Sequence, residues 1–382
     1  MKKSLLALAT LGAFAGAAQA QSSVTVYGIL DTGISAAKAT TTTNNVAVSN
    51  NATQTGAESS QTTSRLGFRG VEDLGGGKSA LFVVEMGLGA SGTGFGDAQA
   101  TTMFTNRVSY IGLSDKSLGT VHLGRQYQSL HAVIGAGSAG GQNNVGGAIY
   151  SSSLIGTSGS ISQTRPYAVN IDNAITYVSP SFSGVTLEVQ TGQTRSNTNG
   201  TTATSPTTAA TETGGSLRYT GVKNLFVGYA YSQKASVVAS TSNVKITAQA
   251  LSANYNFGPA QVFLLGTQTK VDNVLTEINL SDTKQYELGV KAPITKTIST
   301  FASVYTGNIN SATDSAAMTT YNFTAAQARA DVGGFQLGAQ YDLSKRTNLY
   351  AIYGQAGIKG KSAATGDKLE TSQYALGLRH TF

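Results

Sequence analysis

The chain has 382 residues, no cysteine, no tryptophan, 45 glycines and a formal charge of +7. Disulfide frameworks and thiolate metal centres are thereby excluded. Charged residues make up only 12%, roughly half of what a soluble domain carries, yet the mean hydropathy is a near-neutral −0.06. Strict alternation of apolar and polar residues would give both values at once.

The first element in chain order is a leader. Lys2 and Lys3 precede an apolar stretch that ends in Ala18-Gln19-Ala20, the basic, apolar and small-residue regions of a secretory signal peptide. Residues 1–20 are expected to be removed, leaving residues 21–382 as one domain with a formal charge of +5. After Ala20 no apolar run approaches the ~20 residues of a membrane-spanning helix.

Alternation then runs through the chain. In "SVTVYGIL", Val24, Val26, Gly28 and Leu30 share one face, and Thr25, Tyr27, Ile29 and Asp31 the other. In "RLGFRGV", Leu66 and Phe68 oppose Arg65, Gly67 and Arg69. "TLEVQT", "QYELGVK" and "FQLGAQY" repeat the pattern, which is that of a strand with one apolar face. Tyr110, Tyr177, Tyr229, Tyr231 and Tyr286 read as outward aromatic residues of a membrane girdle.

The breaks between strands alternate in length. Short ones fall at 72–78, 114–119, 179–184, 221–224, 256–260, 292–297 and 342–347. Long, Thr-, Ser-, Asn- and Gly-rich ones fall near 36–64, 87–103, 126–173, 192–213, 235–243, 270–283, 310–332 and 358–371. Seven short turns and eight long loops separate about sixteen strands, with both termini on the short-turn side. That sorting is expected of an all-β transmembrane antiparallel barrel, with short periplasmic turns and long external loops. The bilayer forces closure, because an open sheet edge cannot be left unpaired in lipid.

One stretch argues for something else. "HAVIGAGSAGG" (131–141) carries Gly135-x-Gly137-x-x-Gly140, the spacing of a dinucleotide-binding turn. Such a turn must open a helix and be followed by an acid about twenty residues on. The next residues, "QNNVGGAIYSSSLIGTSGS", contain no Asp or Glu and no helical period. The glycines therefore belong to the third and longest loop.

The last strand, "TSQYALGLRHTF", sets Tyr374, Leu376, Leu378, His380 and Phe382 on one face. With "SSVTVYGILDTGI", "SRLGFRGVEDLGGGKSALFVVE", "NRVSYIGLSD", "GTVHLGRQY", "NAITYVSPSFSGV" and "YDLSKRTNLYAIYG", it resembles the Gram-negative general porins of the beta-proteobacterial type. The matching stretches are spread over the whole mature chain. The resemblance implies a sixteen-stranded barrel in the outer membrane, a homotrimer, and passive diffusion of small hydrophilic solutes and ions. It implies that the third loop folds into the barrel and narrows it. It also implies contact with outer-membrane lipid and lipopolysaccharide, and a C-terminal strand ending in Phe382 that the barrel-assembly machinery reads.

Counted up from the short turns, Arg65, Glu85, Arg107 and Arg125 sit near mid-height, roughly 15–20 Å up. Arg65 and Arg107 are placed on the polar faces of their strands. Simple alternation from Val121 and Leu123 points Arg125 into lipid, at a cost of about 2–4 kcal/mol; a bulge at Gly124 would turn it inward. The resemblance favours the inward reading, since the family places the arginines of "SRLGF" and "GRQ" at the constriction. The family's basic residues just before the sixth strand are here Asn170 and Thr176. The expected constriction set is Arg65, Arg69, Glu85, Arg107, Arg125 and Arg165. Residues 126–171 contain no acid, and basic rings favour anions. Glu85 could equally be a structural rung between Arg65 and Arg107. Neither an enzyme nor a cofactor is expected. His122, His131 and His380 lack metal-ligand spacing, and no nucleic-acid partner is expected. An adhesin acting through its surface loops and a solute-specific channel remain as alternatives.

Overall fold

The computed structural model describes residues 23–43, 45–58, 60–88, 104–141, 143–149, 153–155, 161–163, 169–196, 208–238, 242–273, 278–310, 329–361 and 368–382. The leader and Arg165 lie outside them.

The strands are β1 (Ser23–Thr43), β2 in two parts (Val46–Glu58 and Arg65–Gly75), β3 (Lys78–Leu88), β4 (Phe104–Asp115), β5 (Gly119–Tyr127), β6 (Asn170–Val178), β7 (Val185–Ser196) and β8 (Thr208–Tyr219). They continue as β9 (Leu225–Val238), β10 (Ser242–Asn256), β11 (Gln261–Asn273), β12 (Ile278–Pro293), β13 (Ile298–Asn310), β14 (Arg329–Asp342), β15 (Thr347–Gly360) and β16 (Lys368–Thr381). Each pairs antiparallel with its neighbour. β1 closes the sheet on β16, from Ile29 opposite Thr381 to Thr42 opposite Lys368. The result is a sixteen-stranded barrel without an edge, as lipid requires.

The expected faces are present. Tyr374, Leu376, Leu378 and Phe382 are exposed on the outside, whereas Ala375, between Tyr374 and Leu376, is buried. Tyr177, Tyr229, Tyr231 and Tyr286 are likewise exposed. Tyr110 is not: it is half-buried, with its ring 4.6 Å from His122. It alternates with outward Ile111, so its own face turns to the lumen.

The first long break differs from its reading as a loop. β1 continues to Thr43 and pairs with Val46–Glu58, so most of 36–64 is ladder. Its Thr, Val and Asn content suits strands that rise above the bilayer, where the outer face is polar and the apolar alternation fades. The true interruption lies between Glu58 and Arg65. There the backbone N–H groups of Gln61 and Thr62 donate to the Asp31 carboxylate at 2.8 and 2.5 Å. Tyr350 Oη donates to it at 2.6 Å, from β15. Asp31 is 1% exposed; a buried carboxylate is tolerable only with such partners.

The third loop enters the barrel. Ser129–Ala136 form a two-turn helix, α1, that packs on β8, β9 and β10. Two turns give too few periods for the helix to be legible in the sequence. Gly137 is its C-cap, so the glycine run closes a helix rather than opening one. Beyond it, backbone lies on backbone: a Cβ on Gly354 would collide with the carbonyl oxygen of Gly146. Only glycine permits that approach.

Candidate pore constriction

Glu85 on β3 is the centre of a lumen-side cluster and is 6% exposed. Arg107 Nε donates to Glu85 Oε1 at 2.8 Å, and Arg65 Nη1 lies 3.6 Å from the same oxygen. Tyr127 Oη accepts from Arg107 Nη2 at 2.6 Å and donates to Glu85 at 3.0 Å. Tyr27 Oη donates to Glu85 Oε2 at 3.2 Å. Arg69 stands at the edge, its guanidinium 5.4 Å from the Tyr27 ring centre, within cation–π range. The Tyr27 ring itself lies over Gly67 and leaves no room there for a Cβ.

Register explains the gathering. Arg65 and Glu85 are on the polar face by plain alternation. Arg107 is not: Ile111 and Leu113 face outward, and Arg107 would follow them. The β3–β4 ladder slips here, with Glu85 opposite Val108 and Met86 opposite Asn106. Arg107 is the extra residue of a bulge, and the bulge aims it at Glu85. Alternation therefore points to the right residue for the wrong reason.

Arg125 does not join the cluster. It keeps the register of Leu123, opposite Ser109. The slip falls across the β5–β6 ladder, where Asp172 and Asn173 face the single residue Arg125, and Asn173 takes φ +48°. Arg125 pairs with Asp172 and donates to Asn106 O at 3.1 Å. The expected bulge is present but on the partner strand, so Arg125 stays on the outward face and Asp172 neutralises it.

The third loop occupies the rest of the circumference. Ser129 N and Oγ donate to Gln190 Oε1 of β7. From β10, Ser252 and Asn254 donate to the carbonyls of Val133 and Ala136. Glu287 of β12 accepts from Ser138 Oγ and Ile149 N, each at 2.8 Å. Gln336 of β14 bonds Asn143 and Val145 O, and Gln373 of β16 accepts from Gly146 N. Asn144 N donates to Ser60 O, the interruption of β2. The loop thus tracks the wall from β7 round to β16. The wall of β2 to β5, with its arginines, is left facing it.

Sequence reasoning missed Tyr27, Tyr127, Glu287, Gln336 and Asp31. Tyr27 was legible in principle, since it alternates with Thr25 on the face that Arg69 shares across the ladder. Tyr127 and the mooring residues carry no local signal. They are polar residues on polar faces whose partners lie far along the chain. No group of three or more metal-ligating side chains occurs among the described residues.

The family description "Gram-negative porin" matches residues 6–361. An outer membrane porin protein of Bordetella pertussis is 30% identical over the full length of both chains. Outer membrane porin protein 32 of Delftia acidovorans is 31% identical over 99% of this chain and 95% of its own. Among solved structures, an anion-selective porin from Comamonas acidovorans superposes with a TM-score of 0.66 at 23% identity, covering 95% of this chain and all of that one. OmpF of Salmonella typhi gives 0.60 at 16% identity, over 94% of this chain and 97% of its own.

Proposed function

Since the chain belongs to the Gram-negative porin family, we propose that it is an outer-membrane channel through which small hydrophilic solutes diffuse passively, anions in preference to cations. Its constriction is the gap between the Arg65–Glu85–Arg107 wall and the third loop. The observation that carries the preference is the charge of those two sides. Two arginines share one glutamate, Arg69 adds a third cation at the edge, and residues 126–171 supply no acid in return. A basic ring at a narrow point favours anions. The same channel works without cofactor and without catalysis. Reversal potential in a salt gradient across a planar bilayer tests the reading: current carried mainly by anions is expected, and a cation-directed potential overturns the preference.

The working unit is a homotrimer joined through the outer faces of β1 to β5. Two observations support this. Among the described residues, outward tyrosines lie on β6 to β16 and none on β1 to β5. The Arg125–Asp172 pair sits on the outer wall of β5 and β6, where bare lipid would disfavour it. Residues 1–20 act as the export signal, and Phe382, whose backbone bonds Gly28 at 3.1 Å in both directions, is the assembly signal.

A further inference from the structure

One stretch of the lumen departs from the polar interior expected of a channel barrel. On β3 the inward residues that follow Glu85 toward the short turns are Val83 and Leu81, both half-buried. Val83 stands directly between Arg69 of β2 and Tyr110 of β4, its partners on the two flanking ladders. Leu81 is opposite Gly112, where an added Cβ would lie 3.1 Å from Leu81 Cδ1 and 2.6 Å from His122 Cδ2. The His122 ring is 4.6 Å from that of Tyr110. An apolar floor is thus set between a guanidinium on one side and two rings on the other. At a strand spacing of about 4.8 Å, the strands of Arg69 and Tyr110 are about 10 Å apart.

The polar groups of this shelf are unengaged. Among the described residues Arg69 makes no hydrogen bond and no ion pair, and Tyr110 Oη has no hydrogen-bond partner. Arg69 is exposed and is held only by the Tyr27 ring, 5.4 Å away. That ring lies flat on Gly67, and its hydroxyl is turned to Glu85. Arg69 therefore meets a ring face. A guanidinium seated on an aromatic face keeps its N–H edge for a ligand, and that edge matches a carboxylate with two parallel bonds. Glu85, the acid above the shelf, is paired with Arg65 and Arg107, so the shelf keeps a positive sign.

We propose that this shelf is a subsite for planar aromatic carboxylates entering or leaving the constriction. The carboxylate meets Arg69. The ring lies over Val83 and Leu81, with Tyr110 and His122 at its far edge. A small inorganic anion needs charge alone, which Arg65 and Arg107 supply, and gains nothing from an apolar floor. An aliphatic acid uses the floor but not the rings, which favour a second π-system in offset or edge-to-face contact. The subsite rests on the channel reading above and names a solute class for it.

The test is block of potassium chloride current by benzoate in planar bilayers that hold the purified protein, with acetate and cyclohexanecarboxylate as comparison acids. Wild-type channels should be blocked by benzoate at concentrations at least about tenfold lower than by either comparison acid, since two ring contacts each add about two- to tenfold. Tyr110→Leu should bring benzoate down to the level of cyclohexanecarboxylate and leave acetate unchanged. Arg69→Lys keeps the charge, so reversal potential in potassium chloride should stay as it is, while benzoate block weakens at least about threefold through loss of the second parallel bond. Lys296→Gln, in the short turn after β12, should leave block unchanged. Line broadening of para-fluorobenzoate in fluorine NMR of the detergent-solubilised protein reads binding without conduction, and Tyr110→Leu should reduce it. Equal block by benzoate and cyclohexanecarboxylate, wild-type block in both shelf variants, or unbroadened fluorine lines overturns the subsite. An anion-directed channel indifferent to benzoate overturns the subsite but not the channel, and fluorine broadening in a protein that does not conduct overturns the channel but not the subsite.

Discussion

The two sides of the lumen are built on different principles. The wall of β1 to β5 carries its charges in short contacts between side chains: Arg65, Glu85, Arg107, Tyr27 and Tyr127 touch one another. The wall from β7 to β16 is covered by the third loop, held by neutral amides and hydroxyls, by the buried Glu287 and by Glu188, itself paired with Arg218, with most of these bonds going to backbone. One side is an electrostatic device and the other a scaffold. If so, substitutions on the first should change which ion passes, and substitutions on the second should change how much passes and how steadily.

The largest effect is expected from Arg65→Gln with Arg107→Gln. This removes both cations that face Glu85 and leaves an acid at the narrow point. Reversal potential should move from anion-directed toward cation-directed. Adding Arg125→Gln should change it no further, because Arg125 pairs with Asp172 away from the cluster. If the double variant stays as anion-directed as the wild type, the cluster is a structural rung only.

Next comes Glu287→Ala. Glu287 takes hydrogen bonds from Ser138 and from Ile149 N, eleven positions apart on the loop. Bonds to a charged acceptor contribute about 1.5–3 kcal/mol each. Their loss should raise single-channel conductance and open-channel noise with little change in selectivity. An unchanged conductance with a large selectivity shift would reverse the division of labour between the two walls.

These two walls also mark what the sequence could and could not reveal. Strand count, turn sorting and apolar faces were readable because the bilayer imposes alternation residue by residue. Arg65 and Glu85 were readable for the same reason. Arg107 was placed on the right face for the wrong reason, because it is itself the extra residue of a bulge on β4 that no local cue announces, and Arg125 was misplaced, because its slip lies across the ladder on β6. The slip at Asn173 sets in on β6, nearly fifty residues after Arg125. The moorings of the third loop were hidden more deeply still: Gln336 meets Asn143 at a separation of 193 residues, and nothing in "GGFQLGAQY" distinguishes it from Gln340.

Asp31→Asn should act on stability before it acts on transport. The substitution keeps the shape but turns one acceptor oxygen into a donor facing N–H and O–H groups at 2.5–2.8 Å. A lost buried bond with a partner left unsatisfied costs about 1–3 kcal/mol. A lower thermal midpoint in detergent, with near-normal reversal potential, is the expected pair of results. A normal midpoint would show that the β2 interruption does not depend on this carboxylate. Deleting Phe382 should be milder still for the finished channel. Trimer yield in membranes should fall, while the channels that do assemble conduct normally; equal yield refutes the assembly role.

The smallest and most pointed change is to give the loop the acid it lacks. Gly140 is the wrong place, since a Cβ there would collide with Asn143 Nδ2 and Gln336 Oε1 and disturb the mooring itself. Gly141 is the right one. Its φ is +63°, a region that Asp and Asn enter more readily than other side chains, and among the described residues no atom beyond its own chain neighbours lies within 4 Å of the Cβ it would gain. Gly141→Asp should therefore leave the scaffold in place and reduce anion preference without touching an arginine. The shift should be smaller than that of the double arginine variant, because Arg65 and Arg107 remain. It should also grow on dilution, because the Debye length rises from about 10 Å at 0.1 M salt to about 30 Å at 0.01 M. A shift that is equal at both concentrations would mean that the acid acts by moving the loop rather than by its field, and the separation between an electrostatic wall and a scaffold wall would fail at that point.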